Sequence, residues 1–463
     1  MHIILLSGGS GKRLWPLSND VRSKQFIKIF KKPEADQQPC PGDIKPDSAA
    51  RKNESVSGEE AYESMVQRVF RQIRTANCDA TVTIATGKSQ VSAIRNQIGG
   101  KADICVEPCR RDTFPAIALA SAYLHDVKGV PGEDAVVVCP VDPYVNDDYF
   151  AALKQLWGLA QKGTANLVLM GIKPTYPSEK YGYIIPVTED VVSEVSAFKE
   201  KPDAATAQEY IDRGGLWNGG VFAFKLSYML EQVHRLIAFT DYADLFSRYD
   251  MLDKISFDYA VAEHEPDIAV MRFNGEWKDL GTWNTLTEAM EESTVGDVRM
   301  DDTCRNVHVI NELGIPVLAM GLKDIVISAS PEGILVSDKE RSSYIKPFAE
   351  AIDRQIMFAE KSWGSFRVMD VEENSMTIKV TLNAGHRMNY HSHDRRDEVW
   401  TVISGRGRTI VDGMEQPVKA GDVITMQAGC KHTVIADTLL QLIEVQLGKD
   451  ISVSDKHKHE LTE

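Results

Sequence analysis

The chain has 463 residues, 43% of them apolar, and sets 52 basic against 67 acidic side chains for a net charge of −15. That length suits two or three domains with sizeable cores, and a negative charge without a long basic run argues against nucleic acid or an anionic membrane surface as partner. Seven cysteines with no CxxC pair, no signal-peptide core and no long apolar stretch point to a reduced, cytoplasmic setting.

The opening run His2 to Leu6 reads as the first buried strand of an α/β sheet, and it empties into SGGSGKRLWPLS. Glycines directly after a first strand let backbone N–H groups approach phosphate oxygens. Two familiar phosphate loops do not fit. A Walker A loop needs Ser or Thr after Gly-Lys to hold magnesium, but Arg13 follows Gly11 and Lys12. The dinucleotide pattern needs a third glycine where Leu14 stands. What remains is a glycine loop with its own cations, Lys12, Arg13 and Lys24, which suits a nucleoside triphosphate.

Residues 31–60 are rich in Pro, Asp, Lys and Ser and read as a mobile surface insertion. YESMVQRVFRQI then places Met65, Val69, Phe70 and Ile73 on one helical face. Strand-like runs near 80, 135 and 166 alternate with helical stretches such as FPAIALASAYLHDV, which predicts a mostly parallel, doubly wound sheet. Ligands of such sheets sit beyond the carboxyl ends of the strands. Asp142 lies there, at the end of VVVCPVD, either as a ligand for a divalent cation or as a cap of the next turn. A second carboxylate, Asp279 in GEWKDLGTW, supplies the partner that a magnesium-bridged phosphoryl site needs. From about 300 the pieces become short and β-rich, a helix-like link is expected near 346–360, and the tail from Lys361 reads as the hairpins of a small barrel.

Taken together, GGSGKRLWPLS with SKQF, EPCRRDTFPAIALA, PVDPY, GIKPTYPSEKYGYI, FKEKPD, LWNGGVF, FDYAVAE and WKDLGTW resemble, in order, the long bacterial mannose-1-phosphate guanylyltransferases with a cupin tail. Pro143 stands where that family usually has His, and Lys12 where it usually has Thr. The resemblance implies a nucleotidyltransferase (Rossmann-like) domain over 1–295, a short left-handed β-helix region over 296–345, and a linker and cupin β-barrel over 346–463. It implies GTP and mannose 1-phosphate as substrates and GDP-mannose and pyrophosphate as products, in a homo-oligomer. Arg13 and Lys24 become catalytic, with Gly8, Gly9, Ser10, Gly11, Lys12, Glu107 and Arg110 on the nucleotide side. Gly182, Glu200, Lys201 and Asn218 meet the sugar phosphate, and Asp142 and Asp279 hold Mg²⁺. A phosphate monoester is already largely dianionic at neutral pH, so the reaction needs charge neutralisation and positioning rather than a general base. Trp15, Phe26, Trp217 and Trp283 are expected to pack rather than react.

The tail carries Gly-x5-His-x-His-x4-Glu-x6-Gly and a later GDVITMQAGCKH, a cupin signature. His391, His393, Glu398 and His432 are its expected ligands for Zn²⁺, Fe²⁺ or Mn²⁺, while His386, His457 and His459 read as surface histidines. In bifunctional relatives such a tail is a mannose-6-phosphate isomerase, typically with His-x-His-x2-Glu after a glutamine and a final Tyr-Gly-Arg. Here the spacing is x4, Asn389 precedes, and the chain ends SDKHKHELTE. A transferase for another sugar 1-phosphate and nucleotide, and a non-catalytic sugar-nucleotide sensor, remain the alternatives. Two intact magnesium carboxylates argue against the sensor.

Overall fold

His2–Ser7 (β1) is almost wholly apolar, and a strand of that composition needs neighbours on both edges and cover on both faces. The computed structural model supplies them, and describes residues 1–9, 12–19, 21–33, 62–77, 79–352, 354–449, 451–452 and 455–461. Two units are distinct. One comprises residues 1–9, 25–281 and 288–291; the other comprises 10–24, 282–287 and 292–463.

The first unit is built on a nine-stranded sheet. After β1 its strands are Thr81–Gly87 (β2), Asp103–Glu107 (β3), Ala135–Pro140 (β4), Leu167–Ile172 (β5), Tyr183–Pro186 (β6), Val192–Lys199 (β7), Leu216–Lys225 (β8) and Ile268–Phe273 (β9), in the spatial order β3-β2-β1-β4-β8-β5-β9-β7-β6. All run the same way except β7 and β8, so the mostly parallel sheet is present with antiparallel insertions. Helix Met65–Ala76 buries Met65, Val69, Phe70 and Ile73 as its periodicity requires, and Ser64 and Gln67 close a reciprocal capping box at its start. Helix Thr113–Ala122 is buried nearly all round, against Ile4, Val136 and Val138 of the sheet. From residue 34 the insertion lies outside the described residues, but its flanks meet, Lys28–Lys31 pairing antiparallel with Tyr62–Ser64. Among the described residues no helix is long and apolar enough to cross a membrane.

In the second unit, Thr294–Val295, His308–Asn311 and Ile325–Ser330 form one parallel ladder. Val298–Met300 with Val317–Ala319 form a second, and an Arg305–Lys323 bridge a third. Successive turns of chain thus stack as a short β-helix, capped by the antiparallel strand Gly333–Asp338. The link is less helical than expected. Helix Lys346–Glu350 spans five residues, and Phe358–Lys361 is already the first strand of the barrel. Barrel sheets of six and five strands enclose Trp400, Leu382, Val434, Leu440 and Leu442.

Gly171, in the middle of β5, shows how tightly the large sheet is packed. A Cβ there would lie 2.5 Å from Leu216 Cδ1 and 2.8 Å from the stiff Val270 Cγ2. Gly171→Ala should therefore cost about 1–3 kcal/mol, read as a lower denaturant midpoint at unchanged slope. An unmoved midpoint would mean that the neighbours yield freely.

Candidate active site and metal centre

Because β1 and β4 are parallel neighbours, their exits open on the same edge of the sheet. Thr86 Oγ1 donates to Ser7 O at 3.0 Å and Gln90 Nε2 to Gly9 O at 3.3 Å, while Gln25 Nε2 reaches Ser7 Oγ at 3.2 Å. Gly9 has φ +93°, a conformation that a side chain would strain. Gly8 and Gly9 are thus held open by groups from the next loop. Ser10 and Gly11 lie outside the described residues. Lys12 and Arg13 sit on a short helical turn, Lys12–Leu14, and Lys24 on another, Lys24–Phe26.

Past β4 the chain pairs Pro143–Val145 antiparallel with Trp277–Asp279, in a register that sets Asp279 opposite Pro143. Asp142 and Asp279, 137 positions apart in sequence (279 minus 142), therefore meet at one end of this small ladder. Both are half-buried; burial first, then the Asp279 charge, with smaller contributions from Tyr176 and Asp142, raises the Tyr181 hydroxyl far above its ordinary pKa. Gly281 lets the chain turn tightly past Asp279, since a Cβ there would stand 3.1 Å from the carboxylate.

The sugar-side residues also converge. Asn218 N donates to Gly182 O at 2.8 Å, and a Cβ on Gly182 would crowd the Glu200 carboxylate and stand 3.2 Å from the Phe198 ring. Glu200 is buried and pairs with Lys201, whose φ is +47°. Asn218 Nδ2 donates to Asp258 at 2.6 Å, and its Oδ1 accepts from Gly220 N at 3.1 Å. Asp258, within the FDYAVAE motif but not singled out by it, is a member of this cluster that the sequence alone did not identify. Burial first, then the charge of Glu200, pushes its carboxyl up to about 6. Trp217 is buried, donates to Tyr183 OH at 3.0 Å and meets Tyr176 edge-on and Tyr181 at a tilt. It packs, as expected. Glu107 turns to Tyr249, whose hydroxyl donates to it at 2.8 Å, and burial raises its pKa; Arg110 is exposed beside it.

In the barrel His391, His393, Glu398 and His432 are all buried, with ligand atoms within 4.8 Å of one another. Each ring turns Nδ1 to a backbone carbonyl: His391 to Asn389 at 2.6 Å, His393 to Asp455 at 2.6 Å, His432 to Cys430 at 3.0 Å. Carbonyls only accept, so each Nδ1 carries the proton and each Nε2 offers a lone pair inward. Two of these lone pairs approach Glu398, at 3.0 Å from His393 and 3.2 Å from His432. Arg396 donates to both His393 Nε2, at 3.1 Å, and Glu398 Oε1, at 3.2 Å, and imidazole with carboxylate is a donor set that fits a divalent transition metal. Burial drives the His391 pKa down to about 2, which keeps that ring neutral. The sequence reading missed the wall around these ligands. Glu444 and Gln446, inward on the alternation of LQLIEVQLG, are buried, and Gln446 Oε1 has no partner. Burial and Glu398 push Glu444 up to about 8, and burial lowers Lys456 nearby. His459 is tied down as well, its Nε2 lying 2.8 Å from Ser392 Oγ.

The doubly wound sheet with a glycine-rich turn after its first strand is that of a nucleotidyl transferase, and the chain belongs to that family, whose model matches residues 2–38 and 46–295. The cupin domain model matches residues 378–445. The chain is similar over its length to named bacterial proteins: mannose-1-phosphate guanylyltransferase 2 of Escherichia coli O157:H7 (27% identical, covering 99% of this chain and 98% of that one) and the xanthan biosynthesis protein XanB of Xanthomonas campestris pv. campestris strain B100 (28%, 98% and 96%). The alginate biosynthesis protein AlgA of Pseudomonas aeruginosa is 26% identical, over 98% of this chain and 95% of its own. A solved structure from Thermus thermophilus, described as a mannose-1-phosphate geranyltransferase, superposes with a TM-score of 0.60 at 24% identity, covering 76% of this chain and 99% of its own, and supports the fold.

Asp258 gives a pH test. Its folded pKa, about 6, lies above the ordinary 3.8, so its contribution to stability is present below about pH 4 and is lost as pH rises through 6. Relative to Asp258→Asn, the parent should lose about 3 kcal/mol between pH 4 and pH 7, at about 1.4 kcal/mol per unit. Denaturant titrations across that range measure the difference, and a constant gap would show Asp258 ionised throughout.

Proposed function

We propose that the chain transfers GMP from GTP to α-D-mannose 1-phosphate, giving GDP-mannose and pyrophosphate. A phosphate oxygen of mannose 1-phosphate attacks the α-phosphorus of GTP, and the bond from that phosphorus to the β-phosphate oxygen breaks. The observation that carries this reading is the ladder register that joins Asp142 and Asp279 at one point. Asp142 and Asp279 would hold Mg²⁺, which would supply neutralisation of phosphate charge there. Gly8, Gly9 and Arg13, with Ser10, Gly11 and Lys12, bind the triphosphate, and Lys24 stabilises the charge that builds up in the in-line transition state. Glu200, Lys201, Gly182 and Asn218 orient the mannose 1-phosphate, with Asp258 fixing the Asn218 amide. The names of the full-length relatives support GTP and mannose 1-phosphate over other pairs.

A second activity rests on a separate observation, the polar chamber of Glu444, Gln446 and Lys456 beside the four barrel ligands. A metal there would polarise the oxygens of an open-chain sugar phosphate, and the reaction proposed is interconversion of mannose 6-phosphate and fructose 6-phosphate.

Pyrophosphate release with mannose 1-phosphate and each of the four NTPs tests the first reading, and GTP should be strongly preferred. Asp279→Asn should stay folded yet lose turnover by orders of magnitude, since the missing ligand acts mainly on the transition state; an active variant would sink the two-aspartate site. For the barrel, elemental analysis should find one transition metal per chain, lost in His432→Ala without change in pyrophosphate release. Metal-loaded protein that leaves fructose 6-phosphate untouched would refute the isomerase.

A further inference from the structure

The segment that carries Arg13 and Lys24 is held by the β-helix and by the first barrel strand. Arg22 makes a bidentate pair with Glu312, at 2.7 and 2.8 Å, with the two side chains only 13% and 23% exposed, and lies over the Phe358 ring. Asn19 folds its own turn by accepting from Val21 N and Arg22 N at 2.8 and 2.6 Å. Its Nδ2 then donates outward, to Glu332 Oε1 at 2.8 Å and Phe358 O at 3.0 Å. The same Glu332 oxygen accepts from Met357 N and Phe358 N, at 3.0 and 3.1 Å, where the barrel begins. Buried Ser330 donates to Pro16 O at 2.6 Å, and Trp283 to Trp15 O at 3.2 Å. Gly333 leaves room for the Trp15 ring, which a Cβ would meet at 2.7 Å.

This is more than a lone surface ion pair contributes. Partly buried charge-assisted bonds, an asparagine whose amide oxygen and nitrogen are both engaged, and a tryptophan seated on a glycine fix the segment from several directions. One carboxylate, Glu332, ties both the segment and the barrel's first strand.

We propose that Asn19, Arg22, Glu312, Ser330 and Glu332 are positioning residues for nucleotidyl transfer, acting through the segment that carries Arg13 and Lys24. The inference rests on the transferase reading, in which Arg13 and Lys24 face the triphosphate. It adds that these contacts fix the segment on which both residues stand. A displacement of about 1 Å in a charge-positioning group costs about a hundredfold in rate.

The test uses the full chain. Arg22→Glu and Glu312→Arg should each lower kcat/KM for GTP at least about tenfold while KM for mannose 1-phosphate stays within about twofold. The double exchange should recover most of that loss, and Glu332→Gln should reproduce the GTP-selective defect at unchanged metal content. A role confined to stability would lower the unfolding midpoint without this split between substrates. If a charge reversal fails to fold, Arg22→Lys and Glu332→Gln carry the test, with hydrogen–deuterium exchange over residues 12–24 rising in step with the GTP defect. Folded variants with parental kinetics for both substrates would overturn the proposal alone. A parent inactive with every NTP would overturn the transferase reading, and this proposal with it.

Discussion

The transferase half depends on one pairing, the parallel register of β1 with β4, in which Leu6 lies beside Pro140. Parallel strands need long crossover connections, so the sequence between them must form other strands and helices that cover both faces. Helix Thr113–Ala122 does so with alanine, isoleucine and leucine on every side. In return both strand ends open on one edge, where the glycine loop and Asp142 emerge. The small ladder of Pro143–Val145 with Trp277–Asp279 then brings the second aspartate to the first.

The charge distribution follows the same logic. A chain at −15 repels phosphate at long range, so any anion must be captured by local cations and fixed dipoles. The cluster around Asn218 instead places two carboxylates, Glu200 and Asp258, beside Lys201 as counter-charge, and burial first, then their mutual repulsion, raises the Asp258 pKa. Such a cluster is rich in acceptors, the chemistry that the sugar hydroxyls of the proposed substrate would need.

Much of this was legible in the sequence because the signals were local. Apolar runs marked β1, β2, β4 and β5, the Met65 face marked its helix, and the two-residue alternation of His391 and His393 marked the metal wall. The parts that were not legible depend on register or on distant contacts. Glu444 and Gln446 stand on an inward alternation, yet nothing local says that their neighbour across the ladder is the Glu398 strand. Asp258 needed Asn218, 40 positions away, to declare its role. The loop after β1 looked like part of the sheet domain because it is continuous with β1, whereas Arg22 and Asn19 are held by residues some 300 positions later. The expected helical link is short because Pro347 starts a helix that ends at Glu350, and by Phe358 the chain is strand.

The environment of Glu398 bears on how the barrel is assembled. Its Oε1 meets Arg396 Nε at 3.2 Å, and its Oε2 accepts from Trp400 Nε1 at 3.1 Å. Arg396 in turn donates to His393 Nε2 at 3.1 Å. This buried carboxylate is therefore held by the protein's own donors, one of which, Trp400, also belongs to the barrel's hydrophobic core. Arg396 thus gives this buried carboxylate a counter-charge from within its own strand, Arg396–Ser404, so the polar centre of the barrel is balanced by the same element that carries it.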